Sequence, residues 1–421
     1  MMFKQSWAAA LGALFAAVSL GAATAARAEI KIGVVLPLTG PLASLGNDVN
    51  RGFELAREMV NAKGGVKGES VRFVTVDVPG SNEAASQATR LITRDGVKVI
   101  VGSYASSISF AASQVAERNG VIYVEQGAVA DDITKRGFKN LFRFIYPASE
   151  LGRGGAQYAT DELLPRLGLE PGKTRVAIMN EDSSYGEAVA EGARKWLKEK
   201  GVQVVDSASY SYRTTDLSSV VQRFKASRPD IVIACSYTPD GILFWRQARE
   251  ANLELKAMIG NGGAHNIPDF AQALGDDVNG IFNAGTSAYF NPEGLKPEAA
   301  QLFRDFHREY EKKFGRKPSA HSAMGFNAMW VLLSDVLPAA GGTDPKKVRE
   351  AFLALDKPVG STMVGWGLKF DPQTGNNTRA FPMIDQWQEQ QIRTIYPTEF
   401  GVTDRITTPL PAWRQRANVG K

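Results

Sequence analysis

Two doubly wound α/β units in one exported chain are what this sequence predicts. Three observations carry the expectation: an export signal at the N-terminus, short apolar strands alternating with amphipathic helices, and a length beyond what one core usually supports. Residues 1–28 place Lys4 near the start, an apolar run from Trp7 to Ala22, and small residues ending in Ala26-Arg27-Ala28. That order is a secretory signal peptide with cleavage between Ala28 and Glu29. Gly12, Ser19 and Gly21 break the run, which falls short of the ~20 strongly apolar residues of a membrane span. No cysteine follows for lipid attachment, and no later segment reads as long and apolar enough to cross a bilayer. Cleavage leaves 393 residues, which favours two domains.

The cleaved segment carries Lys4 and Arg27 and no acid, so the net charge falls from +5 to +3. That is too little to argue for nucleic acid. Cys235 is the single cysteine, so no internal disulfide can form even in an oxidising compartment.

After cleavage the chain opens on a β-like run, Ile30 to Leu36, and a turn at Gly40-Pro41. A helix-period segment follows, with Val49, Phe53, Ala56, Met59 and Val60 on one face and Gly64-Gly65 as its stop. Strands at 71–76, 97–101 and 121–124 then alternate with helices at 82–93 and 107–118, the rhythm of a parallel sheet covered on both faces. After a strand-like stretch at 142–146 the rhythm restarts. Helices at 151–163, 185–200, 217–227 and 241–251 alternate with strands at 175–179, 203–209, 231–234, 257–259 and 281–284. From Glu298 the chain turns mainly helical (299–314, 322–337, 345–355) and ends in strand-like segments at 366–370 and 381–387. A helical block without its own sheet is expected to pack back on an earlier one. The sequence shows no low-complexity linker and no obvious short repeat.

Open parallel sheets bind ligands beyond the carboxyl ends of their strands, where helix N-termini present unpaired N–H groups. Following each strand to its end gives the candidate site. Gly102-Ser103-Tyr104-Ala105-Ser106-Ser107 follows one strand, and Ser106 or Ser107 could cap the next helix and offer a hydroxyl to a carboxylate. Glu125-Gln126-Gly127-Ala128-Val129 follows another, with Gly127 allowing close backbone approach. In the second unit, Tyr185 and Tyr237 stand at equivalent strand ends facing the first.

Catalytic signals are weak. His265, His307 and His321 show no metal-type spacing, and phosphate-loop, nucleophile-elbow and dinucleotide fingerprints are absent from the sequence. Cys235 has no adjacent base and reads as a buried small residue. No cofactor, no metal and no enzymatic activity are expected.

Taken together, Ile32-Gly33-Val34 with Thr39-Gly40-Pro41, Asn61-Ala62-Lys63-Gly64-Gly65 with Lys67-Gly68, Gly102 to Ser106, Gly127-Ala128 with Thr134, Tyr185-Gly186, Tyr237 with Pro239, and Arg246-Gln247-Ala248-Arg249 resemble the periplasmic Leu/Ile/Val-binding proteins of ABC importers. The match runs through nearly all of the mature chain. The resemblance implies a type I periplasmic binding protein fold, two lobes joined by three crossovers with the ligand clamped between them. Its boundaries put lobe 1 at 29–148 plus 287–379 and lobe 2 at 149–286 plus 380–421. It further implies a monomeric receptor that binds without chemistry and hands an amino acid to a membrane permease.

The family pattern carries over residue by residue. A serine matching Ser106 and N–H groups matching Gly127 and Ala128 hold the ligand carboxylate, and tyrosines matching Tyr185 and Tyr237 line the other lobe. Four positions depart from it. Val129 replaces a threonine hydroxyl, Asn261 falls where an acid receives the ammonium, Leu45 replaces a pocket tryptophan, and His321 stands at an aromatic contact. A buried ammonium without a partner is costly, so either Glu125 supplies the missing counter-charge or the ligand lacks an ammonium. The resemblance favours an amino acid over an aromatic or aliphatic carboxylate without one. A ligand-sensing regulator of the same fold is the competing class, disfavoured in its cytoplasmic form by the export signal.

Overall fold

The computed structural model describes residues 29–418; the signal-peptide expectation lies outside them. Five parallel strands form the first sheet: β1 (Glu29–Leu36), β2 (Ser70–Asp77), β3 (Val99–Gly102), β4 (Ile122–Glu125) and β5 (Leu141–Arg143), in the order β2-β1-β3-β4-β5. The second sheet begins with β6 (Arg175–Glu181), β7 (Gln203–Tyr210), β8 (Ile231–Cys235), β9 (Ala257–Asn261) and β10 (Phe282–Gly285). After a two-stranded pair, β11 (Asp356–Lys357) and β12 (Leu368–Lys369), the chain returns to it with β13 (Met383–Gln388) and β14 (Gln391–Tyr396). Its order is β14-β13-β10-β9-β8-β6-β7, parallel except for the antiparallel pairings of β13 and β14. The central strands β3, β4, β8, β9 and β10 are buried at every residue, as helices on both faces require.

The chain thus leaves the first sheet after β5, contributes helices to its neighbourhood again after β10, and rejoins the second sheet at β13. The late helices have no sheet of their own. Helix Ala320–Val331 packs along helix Ala43–Ala62, and Phe352 of helix Pro345–Ala354 stacks on Phe142 of β5 at 4.3 Å between ring centroids. The first of these contacts depends on Gly52, where a Cβ would stand 2.1 Å from the Ser322 carbonyl oxygen. In the second unit Gly152 does the same for helices Ala148–Tyr158 and Ser184–Glu199, its Cβ position lying 2.0 Å from the Val189 carbonyl oxygen.

Two expectations need correction. Ala320–Ala340 is long and apolar enough to cross a membrane by length and composition, but the helix is mostly buried against its neighbours, which accounts for its apolar character all round. A short internal repeat also exists. Leu164-Pro165-Arg166-Leu167-Gly168 and Leu337-Pro338-Ala339-Ala340-Gly341 each follow a π-helical turn, Ala159–Leu163 and Leu332–Val336, and each ends on a glycine in the left-handed region. Proline has no N–H to donate to the preceding turn, and widening that turn accommodates its ring without ending the helix. Both units use the same device at the same place in a long helix.

Candidate functional site

A small, partly open cavity lies between the two sheets. From the first unit Leu45, Gly127, Val129 and His321 face it, joined by Tyr104 and Met324; from the second, Tyr185, Tyr237, Gly262, Gly263 and Asn266. Six expected residues therefore line one cavity from its two sides: Leu45, Gly127, Val129 and His321 from the first unit, Tyr185 and Tyr237 from the second. Tyr185 and Tyr237 lie 5.4 Å apart between ring centroids, and the Tyr185 hydroxyl donates to the Asn261 carbonyl at 2.5 Å. Tyr104 sits in the left-handed region (φ 63°), donates its hydroxyl to the Leu42 carbonyl at 2.7 Å and meets His321 edge-on at 5.7 Å. Burial pushes His321 down to about 4, so its imidazole is neutral at ordinary pH.

Ser106, Ala128, Glu125 and Asn261 do not line this cavity, and each has a physical reason. Helix Ser106–Arg118 starts after Ala105 without a side-chain cap, contrary to the capping expectation; the Ser106 hydroxyl instead accepts from the Ala130 N–H at 3.1 Å. The N–H groups of Gly127 and Ala128, expected to hold a ligand carboxylate, donate to the Glu125 carboxylate at 2.7 Å each. Ser103 N–H at 2.8 Å, Tyr104 N–H at 3.3 Å and the Ser109 hydroxyl complete the set. Glu125 is fully buried, and that burial raises its pKa while these donors oppose the rise. Its oxygens are thus engaged by the two loops, and it supplies no free counter-charge to the cavity. Opposite, the Arg143 guanidinium donates to the carbonyls of Val129 at 2.8 Å and Ala130 at 2.7 Å. One buried anion and one buried cation hold the same loop from its two polar sides.

Asn261 points its amide at the Ala234 carbonyl, 3.3 Å away, and packs toward Gly155 of helix Ala148–Tyr158. The next residue, Gly262, reaches the wall instead. Among the described residues no Asp, Glu, Lys or Arg side chain lines the cavity. Among the described residues no cluster of three or more His, Cys, Asp or Glu could hold a metal ion. The sequence reading missed Tyr104, Met324, Gly262, Gly263 and Asn266. For Asn266 the signal was its place in the loop after β9, a strand end like those already followed.

Behind the tyrosines lie further buried acids. Asp240 is pushed up to about 8 and Glu181 to about 7, burial being the largest cause in both, and Asp385 beside Thr394 is likewise raised to about 7. A carboxyl raised on folding stabilises fully below its unfolded value near 4 and loses that contribution as pH rises through its folded value. Buried His265, His307 and His321, each lowered to about 4, act in the opposite sense and lose stability as pH falls from about 6.5. The two sets oppose one another below about pH 6.5, and the carboxyls act alone above it. Scanning calorimetry of the ligand-free protein should show a melting temperature that declines between about pH 6.5 and 8, with Asp240→Asn reducing the decline. A rising profile over that interval would refute the assignment.

Two parallel sheets that present their carboxyl ends to one shared, uncharged cavity define a ligand-binding clamp. The chain belongs to the periplasmic binding protein family, whose pattern it matches over residues 29–386. It is 37% identical over 393 residues to the Leu/Ile/Val-binding protein homolog 7 of Brucella suis, covering 93% of this chain and 97% of that one. A leucine binding protein from Thermotoga maritima superposes with a TM-score of 0.75 at 25% identity, covering 87% of this chain and 97% of the other. An ABC transporter solute binding protein of R. palustris, solved with benzoate, shares the fold with a TM-score of 0.74 at 22% identity over 87% and 95% of the two chains.

Proposed function

We propose that this protein is the periplasmic receptor of an ABC importer, closing lobe 1 (29–148 plus 287–379) and lobe 2 (149–286 plus 380–421) around a hydrophobic amino acid and delivering it to the permease as a monomer. The observation that carries the reading is the cavity itself, walled by Tyr185 and Tyr237 on one side and by Leu45, Val129 and His321 on the other. The names of the Leu/Ile/Val-binding relatives support the ligand class. No step in this function needs catalysis. Thermal shift with a panel of amino acids and simple carboxylates tests it, since a ligand at 100 times its Kd adds about 2.7 kcal/mol. A panel in which no amino acid moves the melting temperature would sink the reading. A second reading, an aromatic or aliphatic carboxylate without an amino group, is favoured by the absence of any acid on the wall.

Closure has a candidate latch. Asp269, on helix Pro268–Leu274 of lobe 2, accepts from the Ser44 hydroxyl at 2.6 Å and from Arg316 at 3.1 Å, both in lobe 1. These groups are partly exposed, so the contact contributes at most about 1 kcal/mol. Asp269→Ala should therefore speed ligand release up to about fivefold in stopped-flow experiments, with little change in melting temperature. An unchanged release rate would remove the latch from the account.

Export follows from the same reading. Intact-mass measurement of periplasmic protein should find a chain beginning at Glu29, and a mass retaining residues 1–28 would contradict cleavage there.

A further inference from the structure

We infer that Asn266 is the residue that receives the ligand's amino group, in the place where an acidic side chain is missing. This rests on the amino-acid reading above. Asn266 follows β9 by five residues, in the short 3₁₀ turn Gly263–Asn266, and lines the cavity while only 4% exposed. Its amide nitrogen donates to the Thr286 carbonyl at 3.0 Å. That contact fixes the orientation of the side chain, because turning the amide over would set its oxygen against a carbonyl oxygen. The nitrogen is also the end nearest the end of β10, 3.1 Å from where a Gly285 Cβ would stand. The other end, Oδ1, finds no hydrogen-bond partner among the described residues.

A buried acceptor on the wall of a binding cavity carries a desolvation cost that a ligand donor relieves. What it accepts follows from the rest of the wall. The phenols of Tyr104 and Tyr185 are committed to backbone carbonyls, and the Tyr146 and Thr286 hydroxyls lie within hydrogen-bond distance of each other at 3.3 Å. Glu125 is held by its five donors behind the wall, and among the described residues no carboxylate lines the cavity. The amide oxygen of Asn266 is a buried side-chain acceptor on the lobe 2 wall left without a partner among the described residues, and an amide dipole can meet an ammonium without fixing a full negative charge in an apolar site. His321, neutral and with Nδ1 unpartnered among the described residues, faces the cavity from lobe 1. The ligand is thereby oriented with its amino group toward the loop after β9.

The test compares L-leucine with 4-methylpentanoate, the same skeleton without the amino group, by titration calorimetry on the wild type, Asn266→Leu and Asn266→Asp. The wild type should bind leucine at least tenfold more tightly, a difference of 1.4 kcal/mol. Asn266→Leu should erase that preference by weakening leucine while sparing 4-methylpentanoate, and Asn266→Asp should widen it by supplying a carboxylate. Melting curves of the unligated variants check that each still folds. Equal binding of both probes by the wild type, or an unchanged preference in folded Asn266→Leu and Asn266→Asp, would overturn the inference and leave the receptor reading standing. Binding of neither probe by the wild type would overturn the inference, the receptor reading falling with it only if the whole amino-acid panel also left the melting temperature unmoved, and loss of both probes to the same degree in both variants would assign Asn266 a purely structural role.

Discussion

Glu125→Ala should lower stability by about 3–5 kcal/mol and abolish ligand binding as a consequence of the disordered wall, whatever the ligand's charge. The carboxylate joins the loop after β3, through the N–H groups of Ser103 and Tyr104, to the loop after β4, through those of Gly127 and Ala128. Removing it takes the acceptor from four backbone N–H groups at once, Ser103 keeping only a 3.3 Å contact to the Ser109 hydroxyl, and each donor left unmet costs roughly 1–3 kcal/mol unless water enters. Glu125→Gln should fall between, since an amide oxygen can still accept while its NH₂ group confronts other donors. Urea denaturation of both variants reads the effect. A Glu125→Ala protein of wild-type stability that has lost affinity only for amino acids would restore Glu125 as a counter-charge for the ligand and would falsify the structural assignment.

Gly263→Val should strain the loop after β9 by about 2–4 kcal/mol and, by pulling it off the cavity, weaken binding by roughly 1.5 to 3 orders of magnitude. Gly263 has φ 55°, a region that a β-branched residue enters only with strain. Its Cβ would also stand 2.1 Å from the Ser236 carbonyl oxygen and 3.0 Å from the Tyr185 hydroxyl. The backbone must therefore move away from the loop after β8, carrying Gly262 and Asn266 out of register with Tyr185. Calorimetric titration against L-leucine measures the loss. Wild-type affinity in this variant would show that the loop after β9 takes no part in the site.

The fold was legible because both sheets obey one simple pattern. Strands such as β3 and β8 are short apolar runs between helices of clear 3.6-residue period, and their ends mark the binding face. The edges were harder. β14 was missed because Gln391–Tyr396 is polar and only partly buried, and the strand expected at 366–370 reduces to Leu368–Lys369. The repeated Leu-Pro-x-x-Gly escaped notice because only three residues of each copy agree.

At the site, position along the chain was readable and side-chain direction was not. β4 and β9 are buried on both faces, so no alternation reports which residue turns inward. A one-residue phase separates Asn261, packed behind, from Gly262 on the wall, and Glu125 lies beneath a loop whose neighbours Gly127 and Val129 face the cavity. The question raised by the missing acid at Asn261 was well posed from sequence. Its answer needed the hydrogen-bond partners of Glu125 and Asn266, which lie far apart in the chain.

Small-angle X-ray scattering of the mature protein, with and without saturating L-leucine, tests the clamp itself. A ligand that touches Tyr185 and Tyr237 on one lobe and Leu45, Val129 and His321 on the other contacts both only when they close, so it must shift the population toward the closed state. The radius of gyration should fall on binding; an unchanged value in a sample that calorimetry shows to be saturated would contradict a site shared between two moving lobes.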